Sequence, residues 1–187
     1  MKKSIKLNLD NANFSNKKIL IVQTKWNEEI IEPMVEDCLK VLDNHEVNFS
    51  TFTVPGAFEI PFMVSQKIES FDAAITLGAI IKGETPHFDI IAQSVCDQII
   101  NLGIEFKKPV IFGVLTTNNS EQAIERARTK GSELAESALY LLNKIDAWKK
   151  NFSFALKKKR VNFTSSISTR NKWGFEYWNF KAAERKK

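Results

Sequence analysis

Cysteine and histidine are scarce in this chain, two of each in 187 residues. Cys38 and Cys96 both fall in apolar helical patterns, so they read as small core residues in a reducing cytoplasm and exclude a disulfide framework. No cluster of cysteine and histidine has metal-ligand spacing, which excludes a structural zinc. Long apolar runs are missing too. None approaches the roughly 18 to 20 residues that a bilayer span needs. No apolar segment follows Lys2 and Lys3, as a secretion signal would require. These absences point to a cytoplasmic protein with no membrane partner, and no internal repeat divides it.

What is present is an uneven distribution of charge. The formal net charge is +5. Residues 149–187 hold 12 of the 27 Lys+Arg and 2 of the 22 Asp+Glu, which leaves residues 1–148 with 15 and 20. The basic character therefore belongs to the tail and says nothing about the ligand of the main domain. The length suits one domain with an appendage. The expected division is an extended, Asn-rich arm over 1–16, an α/β domain over 17–148, and a basic, aromatic-rich extension over 149–187.

Along the main domain, strand and helix patterns alternate. Lys18 to Thr24 is a buried strand, with Lys25, Trp26 and Asn27 at its carboxyl end. Asn27 is placed to cap a helix to about Asn44, with Ile30, Met34, Cys38 and Leu42 on one face. Pro33 either falls in the first turn of that helix or kinks it. Glu46 to Thr53 is a second strand. The turn Val54-Pro55-Gly56 leads to a helix from Ala57 to about Ser70, with Pro61 in its first turn. Val110 to Leu115 is a further strand, followed by a loop over residues 116–119. Asn119 with Gln122, or Asn118 with Glu121, would form a capping pair. A helix carrying Ile124 and Arg126 is expected to break at Lys130-Gly131, and a last helix to run to about Trp148. Alternation of this kind implies parallel strands with helices on both faces.

The chemistry gathers between Ile75 and Val95. Ala73 to Leu77 reads as a strand buried on both faces, and Gly78 and Gly83 bracket a loop. Thr85 suits an N-cap and Pro86 the first helical position. Phe88, Ile91, Val95, Ile99 and Leu102 then form one apolar stripe. Strand, glycine loop and helix N-terminus make an anion site of free N–H groups. His87 sits in that first turn, where the positive helix end favours a neutral imidazole able to accept a proton and a bound phosphate would favour the protonated form. The plainer alternative is a surface histidine at a helix start. Ligands of open α/β sheets bind beyond the carboxyl ends of the strands. Trp26, the 56–59 turn, the 78–87 loop and Phe112 all fall at or near such ends, so they are expected to share a pocket.

Three motifs carry a family resemblance in register: VPGAFEIP (Val54–Pro61), LGAIIKGETPHFD (Leu77–Asp89) and FGVLTTNNSEQAIERA (Phe112–Ala127). Together, over roughly residues 15–148, they resemble 6,7-dimethyl-8-ribityllumazine synthase, the penultimate enzyme of riboflavin synthesis. The resemblance implies a flavodoxin-like three-layer sandwich with a four-stranded parallel sheet. It implies condensation of 5-amino-6-(D-ribitylamino)uracil with 3,4-dihydroxy-2-butanone 4-phosphate, with no metal or redox cofactor. It also implies a homo-oligomer, a pentamer or in some members a decamer or sixty-subunit shell, with active sites between subunits. An association with riboflavin synthase is compatible with it.

By the same resemblance, Trp26 stacks on the pyrimidine, against the alternative of a core tryptophan. Ala57, Phe58 and Glu59 meet the ribityl chain and ring, where a carboxylate suits hydroxyl donors. Ala79, Ile80 and Ile81 offer backbone groups to the uracil. Glu84 and Thr85 hold phosphate through their N–H groups, His87 transfers protons, and Phe112 and Arg126 serve the neighbouring subunit's pocket. Arg126 would otherwise read as part of a solvated helix face. Lys130 is left open as a second phosphate contact, because the stretch after Arg126 is shorter than in many members. The tail from Lys149 has no counterpart in the family. It interleaves Phe152, Phe154, Phe163, Trp173, Phe175, Tyr177, Trp178 and Phe180 with cations. Two rivals stand beside the enzyme: a non-catalytic flavin- or lumazine-binding or shell-forming homologue, and a nucleic-acid binder. Nucleic acid is the less favoured partner, since charged tails are commonly just solvated.

Overall fold

The computed structural model describes residues 7–9 and 12–166, those from 157 on as helix backbone only. Four strands, β1 (Lys18–Thr24), β2 (Asn48–Val54), β3 (Ala73–Ile81) and β4 (Val110–Thr117), form one sheet. Their order is β2-β1-β3-β4 and every neighbouring pair is parallel. The helices are α1 (Glu28–Asn44), α2 (Ile60–Lys67), α3 (His87–Phe106) and α4 (Ser120–Ser166). Short 3-10 turns, Ala57–Glu59 and Ile68–Ser70, flank α2. This is the expected α/β sandwich with a four-stranded parallel sheet, flavodoxin-like in its layers.

The alternation of side chains along each strand builds two cores. Ile19, Ile21, Ile75, Leu77 and Leu115 face α1 and α4, where they pack with Met34, Cys38, Leu42, Leu134 and Leu142. Leu20, Val22, Ala74 and Val114 face α2 and α3, against Ile60, Val64, Val95, Ile99 and Leu102. Each fully buried Leu or Ile contributes about 1.5–3 kcal/mol over exposure, so the sheet is the stable frame on which the loops stand. Phe14 is buried in the first core with its ring edge-on to His45, so residues 12–14 of the N-terminal segment belong to the packed body.

Several boundaries differ from the sequence reading, each for a local reason. β3 does not end before Gly78 but runs to Ile81, because its pairing with β4 continues to Ile81 and Thr117. Gly78 is a strand residue where space is short: a Cβ there would lie 3.1 Å from Thr24 Cγ2 and 3.3 Å from Ile60 Cδ1. β4 likewise takes in Thr116 and Thr117, which the sequence suggested as loop. Helix α1 begins at Glu28 with Pro33 inside it, not in its first turn. Helix α4 does not break at Gly131. The glycine is there for contact, since a Cβ at 131 would lie 2.1 Å from the Met34 carbonyl oxygen of α1. Asp37 of α1 accepts the Ser132 N–H at 3.1 Å across the same crossing. Nor does α4 stop near Trp148, because helix backbone continues to Ser166. Cys96 is exposed rather than core, since it lies beside the buried Val95–Ile99 stripe and not on it.

The chain divides into two units, one reaching Ile145 and one starting at Asp146. Within the second, Trp148 stacks on Phe152 with ring centroids 5.4 Å apart. Phe152 and Phe154 are exposed there. The side chains from Phe163 to Phe180 lie outside those described.

Candidate active site

The site is built from three loop regions at one end of the sheet. The first follows β1. The N–H groups of Lys25 and Trp26 donate to the carbonyls of Val54 (2.8 Å) and Pro55 (3.0 Å), which joins the end of β1 to the end of β2. The Trp26 ring lies against Gly56, where a Cβ would sit 2.6 Å from Cε3 and 2.7 Å from Cζ3. Only glycine leaves room for that close approach. Trp26 is nevertheless 67% exposed, and Phe58, in the next segment, 60%. Exposed aromatic faces of this size cost free energy in water, which is why they mark binding surfaces rather than core.

The second region is the turn into α2. Glu59 reaches back so that Oε2 accepts the Gly56 N–H at 3.0 Å. This carboxylate fixes the turn and holds Ala57 and Phe58 in place. The third region is the end of β3 and the start of α3. Helix α3 starts at His87, one residue later than the sequence suggested, and Thr85 makes no capping bond. The Pro86 carbonyl accepts from Asp89 (3.2 Å) and Ile90 (3.4 Å), so the N–H groups of His87 and Phe88 have no helical acceptor. Those donors, with the helix dipole, face whatever occupies the loop.

These regions enclose a cavity of about 280 Å³. Of the residues proposed from sequence, Trp26, Ala57, Phe58, Ala79, Ile80, Ile81, Thr85 and His87 line it. Gly83, Phe88 and Ile91 line it too. Sequence reading placed Phe88 and Ile91 only in the apolar stripe of α3. The available signal was that the first turn of such a stripe, directly after a strand end, opens on the ligand crevice.

Four proposed residues are not among the lining. Glu59 is turned to Gly56 as described, and Glu84 is exposed. Phe112 is the third residue of β4, level with Thr76, and not at a carboxyl end as expected. Its side chain packs on the α2/α3 core. Arg126 is exposed on α4. Lys130 pairs with Glu133, Nζ to Oε2 at 3.3 Å. The Asn119 side chain caps α4 by accepting the Gln122 N–H at 3.0 Å, while Gln122 Oε1 accepts the Asn118 N–H at 3.1 Å.

Residues 16–146 match the family model described as 6,7-dimethyl-8-ribityllumazine synthase. The chain belongs to that family. A protein of that name from Limosilactobacillus reuteri is 42% identical over 137 residues, 71% of this chain and 90% of its own length. One from Campylobacter jejuni is 42% identical over 147 residues, 74% of this chain and 93% of its own. One from Chlorobium phaeovibrioides is 43% identical over 136 residues, 67% of this chain and 87% of its own. Membership of the lumazine synthase family makes the chain an enzyme of riboflavin biosynthesis, a transferase. The matched region ends at residue 146, so the basic extension lies beyond it.

Proposed function

We propose that the chain condenses 5-amino-6-(D-ribitylamino)uracil with 3,4-dihydroxy-2-butanone 4-phosphate to give 6,7-dimethyl-8-ribityllumazine, phosphate and water. The observation that carries this is the cavity itself, in which loops far apart in sequence bring an aromatic wall, strand-end backbone and His87 together. In this reading the pyrimidine stacks on Trp26 and bonds the backbone of Ala79, Ile80 and Ile81. The ribityl chain lies along Ala57, Phe58 and Glu59. Phosphate takes the N–H groups at Glu84, Thr85 and the start of α3, with the Glu84 carboxylate turned away.

The chemistry requires proton movement at each step. An amine adds to a ketone and a first water leaves, phosphate is eliminated, and the second ring closes with loss of a second water. His87 is the group in the cavity suited to carry those protons, and positioned acid–base catalysis typically contributes about 10²- to 10⁴-fold. Holding the two substrates in reacting geometry supplies much of the rest.

The proposal includes a homo-oligomer with its active sites between subunits. Phe112 and Arg126 then belong to a neighbour's pocket, the guanidinium gripping phosphate through paired hydrogen bonds. Helix α3 supports this. Opposite its buried stripe it exposes Ile90, Ile100 and Ile104 (62%, 61% and 69%), and α2 exposes Phe62. A second apolar face of that kind is costly unless another surface covers it. A pentamer, a decamer or a sixty-subunit shell, a cytoplasmic location and association with riboflavin synthase complete the proposal. Among the described residues no helix is long and apolar enough to cross a membrane.

The test is direct. Purified full-length protein of known native mass is mixed with both substrates and the absorbance of the lumazine is followed. An assembled protein that binds the pyrimidine but forms no lumazine would support the non-catalytic homologue instead.

A further inference from the structure

The backbone at Asn27 is unusual. Its φ and ψ are 61° and 38°, one of three positive-φ positions outside glycine among the described residues. Asparagine is the side chain that tolerates this region best after glycine. Its carbonyl accepts the Ile30 and Ile31 N–H groups at the start of α1 (2.9 and 3.1 Å), yet its side chain makes no capping bond to that helix. Instead Nδ2 donates to the Ala79 carbonyl at 3.2 Å, 52 residues away.

The sheet explains why that bond exists. The last residue pair between β1 and β3 is Gln23 with Leu77. β3 continues to Ile81, so beyond Leu77 its β1-facing edge has lost its partner strand. Ala79 to Ile81 are also the part of β3 that lines the cavity. The Asn27 amide stands in for the missing strand at Ala79. On its other side it is bonded in sequence to Trp26, whose carbonyl accepts from Thr24 Oγ1 (3.1 Å) and whose N–H donates to Pro55. Trp26 is mostly exposed, so packing alone does not fix its ring.

We infer that Asn27 is a positioning residue: its left-handed backbone and its amide bond to Ala79 set the distance between the Trp26 wall and the β3 edge, and so the fit of the heteroaromatic substrate. The inference rests on the lumazine synthase reading for the identity of that substrate, but its geometric content does not.

Three variants separate backbone from side chain. Asn27→Gly keeps the left-handed backbone and removes the amide. Asn27→Asp keeps shape and backbone tolerance but presents an acceptor to the Ala79 carbonyl. Asn27→Ala loses both the amide and the backbone preference. Loss of one neutral hydrogen bond corresponds to about a 3- to 10-fold effect. Asn27→Gly and Asn27→Asp are therefore expected to keep the wild-type melting temperature within a few degrees. They should raise KM for the pyrimidine about 3- to 10-fold, with Asp the worse, and leave KM for the phosphate ester nearly unchanged. The readout independent of activity is the ¹⁹F resonance of 5-fluorotryptophan at position 26, assigned with Trp26→Phe. It should shift or broaden in both variants. An unmoved resonance with both KM values at wild type overturns the inference. So does an equal rise in the two KM values that tracks lost stability. A wild-type protein without synthase activity, in which the Trp26 resonance still responds to Asn27→Asp, defeats the functional reading and leaves the positioning role standing.

Discussion

At the scale of single residues, the cavity and the core impose opposite demands. His87 is exposed beside the cavity, at a helix start where its side chain supports nothing else. Replacing it should therefore cost catalysis and not stability. His87→Ala is expected to fold and assemble as wild type while turnover falls by about one to three decades, within the range for a lost acid–base group. Steady-state rates on protein of verified native mass check this, and wild-type turnover would remove His87 from the mechanism. Cys38 is the contrasting case. Burial first, and the neighbouring Asp37 charge second, push its thiol from an ordinary 9.0 up to about 12. The folded state thus holds this proton after the unfolded chain has released it. The linked stability is intact below about pH 9 and is lost as pH climbs from there towards about 12. The slope from this one proton is at most about 1.4 kcal/mol per pH unit. Urea midpoints across that window should fall more steeply in wild type than in Cys38→Ala. Equal alkaline slopes would mean that the thiol is not held neutral by the fold.

At the scale of elements, two positions show what each helix requires of its neighbours. Helix α3 ends with Lys107 in a left-handed conformation, φ 53° and ψ 38°. The Lys108 N–H returns to the Gly103 carbonyl at 3.2 Å and the Lys107 N–H to Ile104 at 3.3 Å, the two bonds of a Schellman ending. A lysine Cβ is strained there and glycine is not. Lys107→Gly should stabilise by up to about 1 kcal/mol, part of the gain being lost to the freer unfolded chain. A lower melting temperature in that variant would show that the lysine side chain matters more than its backbone. Gly131 is the opposite case, a glycine that cannot be enlarged. With the Met34 carbonyl 2.1 Å from its virtual Cβ, Gly131→Ala must separate α1 from α4. It should cost about 1–3 kcal/mol or more, despite the better helix propensity of alanine. A stability gain measured by urea unfolding would refute the close crossing.

At the scale of the whole molecule, the candidate residues fall on separate surfaces. His87 lines the cavity, whereas Arg126 is exposed on α4 and is not part of the lining. If Arg126 completes a neighbour's site, subunits carrying different lesions can rescue one another. Arg126→Ala alone should raise KM for the phosphate ester more than for the pyrimidine, with a loss of about 10- to 150-fold in kcat/KM. Mixed oligomers of His87→Ala and Arg126→Ala, formed by subunit exchange, should regain part of the activity at interfaces where an intact His87 meets an intact Arg126. Mixed oligomers seen by native mass spectrometry without any recovery would place both residues in one subunit's chemistry.

Much of this protein was legible in its sequence because the signals are local. Short apolar and β-branched runs identified all four strands, and the period-3.6 spacing of apolar residues identified the buried stripes of α1 and α3. The two motifs around Pro55 and Pro86 indicated most of the cavity's walls, because a loop after a parallel strand has a fixed place at the sheet's carboxyl edge, whereas the motif around Asn118 lines none of it. Tertiary structure decided the rest, where the determining contact is far away in sequence. Gly131 reads as a helix break until Met34 is seen against it. Gly78 reads as a loop until pairing with β4 extends the strand through it. Asn27 reads as a helix cap, and only the ending of β1 before β3 shows that its amide serves Ala79. In each case the residue type was plain, but the partner that gives it meaning lies dozens of residues away, and only folding brings the two together.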